Sequence, residues 1–506
     1  MDDRARRRAG ASSALLGASV GLLVTALAST LSPRVPFPPL SVAQRVANLT
    51  PGGIATFFIE ALQHLALPLT VVVTMVLFVV GTLWLGRRLP WLATRAGVLG
   101  AAMVLAVPFI VIGAAAYRPD PSTVGRAVYA AVVAVGAAVG ATVTAWSYRR
   151  LADRGRLFEH AQAPGRRLAL QAAGLGIAAM LLGWGRVRRA LFPRADPGRM
   201  ALDVRPARPA PEPEPEPTFE SIEGLSPLVT ANDDFYVVDE ELVDPDVDSV
   251  TWRLAVGGMV DAPFELGHDE LLALPLVERY STLECISNPI GGDLMSTAKW
   301  TGVPLPDLLE RAGARHGALE VVFRAVGGYS DSLPIDDALR PETMIVLGMN
   351  GNVLPREHGY PARLLAPGYY GMKQPKWLES IEVVDRPYTG YWERRGWIKA
   401  AIVQTGSRVD AVQEGEGSWV VAGVAFAGDR GIARVECSLD AGATWLTAEL
   451  EPPLSGLTWR RWKLPIAAGG ADEVLVRATD GAGAVQTSAV APPHPSGATG
   501  YDGATL

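Results

Sequence analysis

The 506-residue sequence predicts three parts in chain order: an N-terminal all-α transmembrane bundle, an α/β (α+β) domain and a C-terminal immunoglobulin-like β-sandwich. Long apolar segments are confined to about the first 190 residues, although hydrophobic residues make up 49% of the chain. Short β-like runs then alternate with helical ones, and the last part has β-like runs separated by Gly- and Pro-containing turns. We place the membrane domain at 1–192, a Pro-rich linker at 193–224, the central domain at 225–395, the sandwich at 396–495 and a tail at 496–506.

Five apolar segments are long enough to cross a bilayer, for which a helix needs ~20 apolar residues. Arginines precede the first segment and occupy the loops that follow the second and fourth segments. The positive-inside rule then predicts a cytoplasmic N-terminus and an extracytoplasmic central domain in a multi-pass protein of a bacterial-type cytoplasmic membrane. Arg186, Arg188 and Arg189 at the outer end of the fifth segment oppose this orientation. The segments are 11–31, 66–86, 96–116, 125–147 and 168–187.

Paired arginines precede the fifth segment. Arg166-Arg167 and the Ala- and Gly-rich stretch after them resemble a twin-arginine export signal, which would resolve the conflict over orientation. An ordinary positive-inside anchor explains the same residues, so both interpretations stay open. The linker that follows contains a Pro-Glu repeat ending at Pro217, which favours an extended polyproline conformation.

Charge and cysteine content exclude several classes of protein. A net charge of -6 and the lack of a basic stripe argue against nucleic-acid binding. Two cysteines, Cys285 and Cys437, give no disulfide framework. In the β-like run 433–439, Val435, Cys437 and Leu439 share one face, so we expect Cys437 to be a small core residue and not a ligand.

The segment 280–305 concentrates the chemistry of the central domain. Cys285 follows a short β-like run there and precedes an Asn, a Gly pair and Lys-Trp-Thr-Gly-Val. By chemistry alone, a lone cysteine outside the cytoplasm is a nucleophile, a metal thiolate or an inert core residue. The histidines of this domain, His268, His316 and His358, form no zinc-site spacing with it.

Four motifs carry a resemblance to the sulfite-oxidase family. Residues 285–305 resemble its cysteine loop, and 349–363 (MNGNVLPREHGYPAR) resemble its MNG-x-x-LP-x-x-HG-[FY]-P-x-R motif. The stretch 367–378 is similar to the PG-x-x-G…KWL that follows, and 328–334 resemble the loop that carries the active-site tyrosine. The β-sandwich resembles the family's dimerisation domain, so the resemblance covers about 225–490.

The resemblance implies a molybdenum–molybdopterin cofactor with Cys285 as the metal ligand, because molybdenum takes soft sulfur ligands. Tyr329 would hydrogen-bond to an oxo ligand or the substrate. Arg363 and Lys376 suit the cofactor phosphate, and His358 would donate to the phosphate or the pterin. The catalytic residues expected are Cys285 and Tyr329, and the cofactor-binding residues expected are Asn288, His358, Arg363, Gly368, Gly371, Lys373 and Lys376. Trp300, Trp377 and Trp392 are assigned to the core.

The sequence departs from the family at two anion-binding positions. Sulfite oxidases place an arginine after a Phe-rich segment, which is matched here by 235–239 without an arginine, and another where this chain has Ile290. A buried dianion without these cations would be uncompensated, so a neutral sulfoxide or N-oxide is the expected substrate. A sulfite dehydrogenase that uses Arg324 or Arg394 is the alternative. A catalytically degenerate, membrane-tethered binding or scaffold protein is the alternative from another class.

The expected partners follow from the same chemistry. A small-molecule oxo donor or acceptor exchanges an oxygen atom, and a separate redox partner (a quinone, a cytochrome or another membrane electron carrier) exchanges the electrons. Paired axial histidines for a haem are missing from the spans, where His64 stands alone, so the spans are expected to serve as a passive anchor in membrane lipid. A homodimer through the C-terminal domain is also expected.

Overall fold

The computed structural model describes residues 3–32, 35–50, 66–117, 124–157, 196–211, 219–239, 244–415, 417–467 and 471–506. The residues described up to 157 fall into one compact unit. Those from 247 onward, together with 196–211 and 219–239, fall into a second. The predicted fifth span, the paired arginines before it and most of the Pro-Glu repeat lie outside the described residues.

The described part of the first unit is helical. Its helices are α1 (Asp3–Leu31), α2 (Pro38–Leu49), α3 (Ala66–Gly86), α4 (Leu89–Ala116) and α5 (Arg126–Leu157). The four described spans that the sequence predicts match α1, α3, α4 and α5, with the last span beginning one residue before α5. Three helical segments, Asp3–Leu31, Leu89–Ala116 and Arg126–Ala152, are long and apolar enough to cross a membrane, and α3 contributes the shorter apolar stretch Val73–Gly86. Helix α2 has twelve residues, which are too few for a span.

Glycines allow α1 and α5 to pack closely. A Cβ atom added to Gly17 would lie 2.2 Å from the carbonyl oxygen of Gly140, and one added to Gly21 would lie 2.7 Å from that of Gly136. Side chains larger than hydrogen are therefore excluded from this contact. Small residues are the usual means by which apolar helices approach each other without a hydrophobic driving force between them.

The arginine-rich ends of the helices meet. A buried cluster joins Ala9 near the start of α1, Leu89 at the start of α4 and Tyr148 near the end of α5. The arginines beside these positions (Arg6, Arg7, Arg8, Arg87, Arg88, Arg149 and Arg150) therefore belong to the same end of the bundle.

Two sheets form the central domain. One has the strand order β2-β1-β10-β5-β6, and the other has the order β3-β4-β7-β8 with β9 paired to β7. The strands are β1 (Leu254–Gly258), β2 (Phe264–Leu266), β3 (Val277–Glu284), β4 (Met295–Pro304), β5 (Glu320–Ala325), β6 (Ser330–Pro334), β7 (Met344–Met349), β8 (Asn352–Val353), β9 (Arg363–Leu365) and β10 (Leu378–Val384). Short helices α6 (His268–Leu272), α7 (Leu305–Ala312) and α8 (Ile335–Ala338) connect them. Strands and helices thus mix as the sequence predicts.

The second sheet positions the motifs. Strand β7 is buried at every residue, in keeping with its uninterrupted apolar sequence. Strand β3 pairs with β4 and ends at Glu284, so Cys285 is the first residue beyond the sheet. Strand β9, which begins with Arg363, pairs with β7 and is fully buried. The cysteine loop and the arginine are therefore both held by one rigid sheet.

The first part of the predicted linker attaches to the central domain. The amide of Leu202 donates to the carbonyl oxygen of Gly351 at 2.9 Å, and Arg208 forms a parallel bridge with Val277 at the start of β3. Residues 196–211 therefore contact the central domain, and the bounds of the linker stay a prediction. A polyproline pattern indicates an extended chain but does not reveal what that chain lies against.

The C-terminal domain consists of two four-stranded sheets with the orders β11-β12-β16-β15 and β14-β13-β17-β18. Its strands are β11 (Gly406–Gly415), β12 (Ser418–Phe426), β13 (Ile432–Ser438), β14 (Leu446–Thr447), β15 (Glu449–Leu450), β16 (Arg460–Ala467), β17 (Glu473–Asp480) and β18 (Asp502–Thr505). Val421 and Trp462 from one sheet and Val435 and Val476 from the other share a core. The immunoglobulin-like topology stays a prediction. Strand β18 lies in the predicted tail, which is therefore part of this domain.

Cys437 lies in the core that the two C-terminal sheets share. It is 0% exposed and is a free thiol, which confirms its prediction as a core residue. Burial raises the pKa of this thiol to about 12, so it stays protonated and unreactive.

The C-terminal domain packs directly against the cysteine loop. Ile286 and Met295 share a buried cluster with Phe426 and Trp459. The amide of Thr282 donates to the carbonyl oxygen of Leu457 at 3.0 Å, so β3 is also hydrogen-bonded to this domain. The loop that starts at Cys285 is thus fixed from both sides.

The close contact between α1 and α5 can be tested by substitution. Gly17→Leu should destabilise the first unit by about 1–3 kcal/mol, because the side chain meets the backbone of α5. Gly81→Leu is the matched control, since no atom lies within 4 Å of a Cβ at that position. Thermal unfolding in detergent would measure both variants. Equal melting temperatures for Gly17→Leu and Gly81→Leu would contradict the packing.

Candidate active site

A cavity of about 840 Å³, which includes its solvent-filled mouth, lies in the second unit. The wall is largely apolar and aromatic. Of the residues that the sequence predicts for the site, it brings together Cys285, Tyr329, His358, Arg363, Gly371 and Lys376.

Cys285 offers a free thiol to the cavity. The side chain is 9% exposed, and its Sγ lies 2.9 Å from the hydroxyl oxygen of Ser287. The Cys285 amide donates to the carbonyl oxygen of Leu294 at 3.0 Å, which closes the loop between β3 and β4. Burial raises the pKa of the Cys285 thiol, although the contact with Ser287 lowers it. A cation beside Sγ would reverse the effect of burial and favour the thiolate.

Arg363 is a buried cation without an acidic partner among the described residues. It is 5% exposed, and its guanidinium donates to the carbonyl oxygens of His358 at 3.2 Å and Gln374 at 3.4 Å. Its Nε has no hydrogen-bond partner. Burial lowers the pKa of Arg363 to about 10, so the group remains charged at neutral pH. An anion in the cavity would supply the missing charge and the missing acceptor.

His358 lies in the wall as a neutral ring. Its Nε2 is 3.1 Å from the carbonyl oxygen of Asn232, and Phe235 packs against it edge-on. Burial lowers the pKa of His358 to about 4, with a smaller effect of the Asn232 contact in the opposite direction. Because a carbonyl oxygen only accepts, Nε2 carries the ring hydrogen and Nδ1 is an acceptor. The expected donation from His358 to a phosphate or a pterin stays a prediction, and it would require Nε2 to leave the carbonyl oxygen of Asn232.

Lys376 forms a buried ion pair with Asp239 in the same wall. Its ammonium also donates to the carbonyl oxygens of Val238 at 3.3 Å and Glu357 at 3.0 Å. Burial lowers the pKa of Lys376 to about 7, and the adjacent carboxylate acts in the opposite direction by favouring the ammonium. The pair is neutral overall. Lys376 is therefore a weaker attractant for an anion than Arg363.

Two walls of the cavity approach closely at Gly371. A Cβ atom there would lie 3.1 Å from the hydroxyl of Tyr236 and 3.4 Å from the carbonyl oxygen of Glu284. Glycine keeps this passage beside the cysteine loop open. The hydroxyl of Tyr329 donates to the carbonyl oxygen of Met372 at 2.5 Å. The expected bond from Tyr329 to an oxo ligand or substrate would have to replace that contact.

Three predicted cofactor-binding residues do not line the cavity. The amide of Asn288 donates to Glu284 at 3.0 Å and accepts from the amide of Leu294 at 3.1 Å, so it shapes the cysteine loop. Gly368 packs against the carboxylate of Asp429. Lys373 forms ion pairs with two buried carboxylates. Their roles in cofactor binding stay predictions, and each residue is engaged by a neighbour that the sequence motif does not reveal.

Several wall residues were missed. Tyr236 and Asp239 line the cavity and belong to the segment 235–239, which drew attention in the sequence only because it has no arginine. Trp392, which we assigned to the core, and Trp397 also line the cavity. Ile290 is not part of the wall and lies beside Gly500, and its correspondence to an anion-binding position of the family stays a prediction. Clustered aromatics between 391 and 397 were the available signal.

Two family models match the second unit. The oxidoreductase molybdopterin binding domain matches residues 241–392, and the Mo-co oxidoreductase dimerisation domain matches residues 397–491. The boundary between these matches agrees with the division between the central domain and the sandwich.

The chain is also similar in sequence to known oxidoreductases. The chain is 31% identical to human mitochondrial sulfite oxidase over 304 residues, which covers 49% of this chain and 55% of that protein. It is 33% identical over 150 residues to the uncharacterized oxidoreductase YuiH of Bacillus subtilis (strain 168), covering 30% of this chain and 74% of the relative. A putative protein-methionine-sulfoxide reductase subunit, YedZ1 of Azospira oryzae, is 33% identical over 162 residues, covering 32% of this chain and 59% of the relative.

Among solved structures, the sulfane dehydrogenase SoxCD from Paracoccus pantotrophus matches 49% of this chain and 72% of its own chain at 25% identity and a TM-score of 0.45. The chain spans about half the length of the sulfite oxidases with which it aligns. On its domain matches and its similarity to these relatives, the chain belongs to the sulfite-oxidase type of molybdopterin oxidoreductases, whose cofactor is molybdenum bound to molybdopterin.

Proposed function

We propose that the protein is a membrane-anchored, extracytoplasmic oxidoreductase that transfers an oxygen atom in a two-electron reaction, with Cys285 as the protein ligand of molybdenum. The observation that carries the proposal is the presence in one cavity wall of a free, buried thiol and a buried arginine whose Nε has no partner. A soft metal would take the thiolate, and an anionic group would take the arginine.

The wall fits a molybdopterin cofactor in its donors and its openings. Arg363 would hold the phosphate, His358 would accept from a pterin N–H through Nδ1, and Lys376 with Asp239 would border the same site. Gly371 leaves room for a flat ring beside the cysteine loop, since a side chain there would collide with Tyr236.

When bound, the cofactor supplies a metal centre that accepts or donates two electrons while an oxo group is exchanged. The residues of this chain provide the surroundings for that exchange. Cys285 would provide the thiolate, and the aromatic rings of Phe235, Trp392 and Trp397 give the cavity an apolar lining. Tyr329 provides a hydroxyl that would move from the Met372 carbonyl oxygen to a polar atom of the substrate.

We further propose that the substrate is neutral, such as a sulfoxide or an N-oxide. The wall contains two described cations, and Asp239 already compensates one of them. Arg324, which an alternative sulfite site would use, pairs with Glu382, and Arg394 donates to the carbonyl oxygen of Thr389; neither lines the cavity. A buried sulfite dianion would therefore lack the cations that repay its desolvation. The similarity to a putative methionine-sulfoxide reductase subunit supports the same class of substrate.

The helical unit supports the membrane anchor. Three long apolar helices and the gathering of arginines at one end are consistent with a cytoplasmic N-terminus. Electrons would then be exchanged with a separate quinone, cytochrome or membrane carrier. The match to a dimerisation domain supports a homodimer.

Replacement of the thiol tests the metal ligand. Cys285→Ser should lose turnover, because a hydroxyl is a poor substitute for a thiolate on molybdenum. Pterin should stay bound through Arg363. Molybdenum and pterin content and steady-state turnover would be measured beside Cys437→Ala, which removes the other thiol from a different core. Wild-type turnover by Cys285→Ser would refute the assignment.

Replacement of the buried arginine tests the anion site. Arg363→Gln should weaken retention of the cofactor by about 2–5 kcal/mol, since a charge-assisted contact in a buried site is lost. Arg315→Gln is the matched control, because Arg315 is exposed and pairs with Asp261 outside the cavity. Pterin content after dialysis would report the difference. Equal retention in the two variants would remove Arg363 from the proposal.

A cation added to the wall tests the substrate class. Val238→Arg should raise the turnover of sulfite relative to that of a sulfoxide, because Val238 lines the cavity. Val237→Arg adds the same charge at the neighbouring residue, which does not line it. The ratio of kcat/KM for the two substrates is the measurement. Efficient oxidation of micromolar sulfite by the unmodified protein would overturn the neutral-substrate proposal.

A further inference from the structure

A buried lysine lies between two carboxylates behind the cavity wall. The Lys373 ammonium donates to Asp331 at 2.7 Å and to Glu393 at 2.5 Å. The three side chains are 2%, 0% and 5% exposed, respectively. With all groups ionised, the cluster carries one uncompensated negative charge. Such a charge is expensive in a buried site, and one bound proton would remove it.

The second carboxylate oxygen of Asp331 has no hydrogen-bond partner. Its Oδ1 is occupied by Lys373 and by the amide of Ser332, whereas Oδ2 is buried and unpaired. The carboxylate of Glu393 is engaged at both oxygens, by Lys373 and by the amide of Gly390. Oδ2 of Asp331 is therefore the oxygen of the cluster that is free to take a hydrogen.

The cluster joins three segments of the cavity wall. Asp331 lies on β6 two residues after Tyr329, Lys373 lies between Met372 and Gln374, and Glu393 follows Trp392. Tyr329, Met372, Gln374 and Trp392 all line the cavity. The residues of the cluster are thus close in sequence to residues of the wall, so a change in the charge of the cluster occurs close to the cavity.

We propose that Asp331, Lys373 and Glu393 form a proton-binding site behind the cavity wall, with the Asp331 carboxylate taking up and returning one proton. The step is a plain protonation: water supplies H⁺, Oδ2 of Asp331 becomes a hydroxyl, the cluster changes from one negative charge to none, and no electron moves. The coupling of this step to oxygen-atom transfer rests on the proposed function, because that reaction exchanges protons together with two electrons.

The charged groups that face Asp331 agree with this role. Burial raises the pKa of Asp331 to about 6, Lys373 opposes that rise, and Glu393 adds to it. The main-chain amide of Ser332 also opposes the rise. Since the folded-state pKa is raised above the unfolded one, Asp331 stabilises the fold below its unfolded pKa of about 4, and this contribution is lost as the pH rises through about 6.

The proton site can be tested in the cofactor-free full-length chain. Asp331→Asn and Glu393→Gln each leave one ammonium with one carboxylate, so both should abolish the protonation. Infrared difference spectra between about pH 5 and pH 8 should show one fewer protonated carboxylic acid in each variant than in the wild type. Glu284, whose pKa burial raises to about 7, contributes a separate band that both variants retain. Asp336→Asn, an exposed carboxylate five residues along, should keep the wild-type spectrum.

Unfolding gives a second readout that needs no cofactor. The unfolding midpoint of the wild type should fall more steeply between about pH 5 and pH 7 than that of either amide variant. Spectra and midpoints that are the same in wild type, Asp331→Asn and Glu393→Gln would overturn the proposal. Proton uptake on reduction of the loaded protein separates the two ideas: normal protonation without reduction-linked uptake would defeat only the coupling.

Discussion

The site depends on one electrostatic constraint, the burial of the Arg363 guanidinium without an acidic partner among the described residues. A buried cation costs several kcal/mol unless it is paired. Here the carbonyl oxygens of His358 and Gln374 and the face of Trp300, whose centroid lies 5.4 Å from the guanidinium carbon, offset part of that cost. The part of the desolvation cost that these contacts do not offset would be recovered when an anion enters the cavity and pairs with Arg363. Because such an anion binds the folded state alone, its binding would also stabilise the fold.

Both domains of the second unit position the Cys285 thiol and the Arg363 guanidinium in one cavity wall. The sheet of the central domain ends β3 at Glu284 and places Arg363 on β9. The C-terminal domain covers the other side of the cysteine loop, since Phe426 and Trp459 pack in one cluster with Ile286. A domain that family similarity links to dimerisation therefore also contributes to the geometry of the site within a single chain.

Sequence reasoning selected Cys285, His358 and Arg363 because their motifs recur in order, and the structure places all three in one cavity wall. It predicted the apolar helices because hydropathy needs no tertiary information. It could not reveal contacts between residues that are distant in the chain. Lys373 was predicted to bind the cofactor, and the structure pairs it with Asp331 and Glu393, which lie 42 and 20 positions away. Trp392 was assigned to the core because it is large and apolar, and only the packing of the folded chain shows that it lines the cavity wall.

The charged residues in and behind the cavity wall form three groups that differ in net charge. Arg363 presents a net positive charge inward, Lys376 and Asp239 cancel each other in the wall, and the Asp331–Lys373–Glu393 cluster is negative behind it. An anionic part of a cofactor is therefore drawn to one position. A second anion would find that position taken, no other unpaired cation in the described wall and a negative cluster nearby. A neutral molecule meets none of these penalties, and the aromatic rings at 392 and 397 offer it apolar contact. Under the proposed function, a charged cofactor and an uncharged substrate would therefore occupy one cavity without competing for the same arginine.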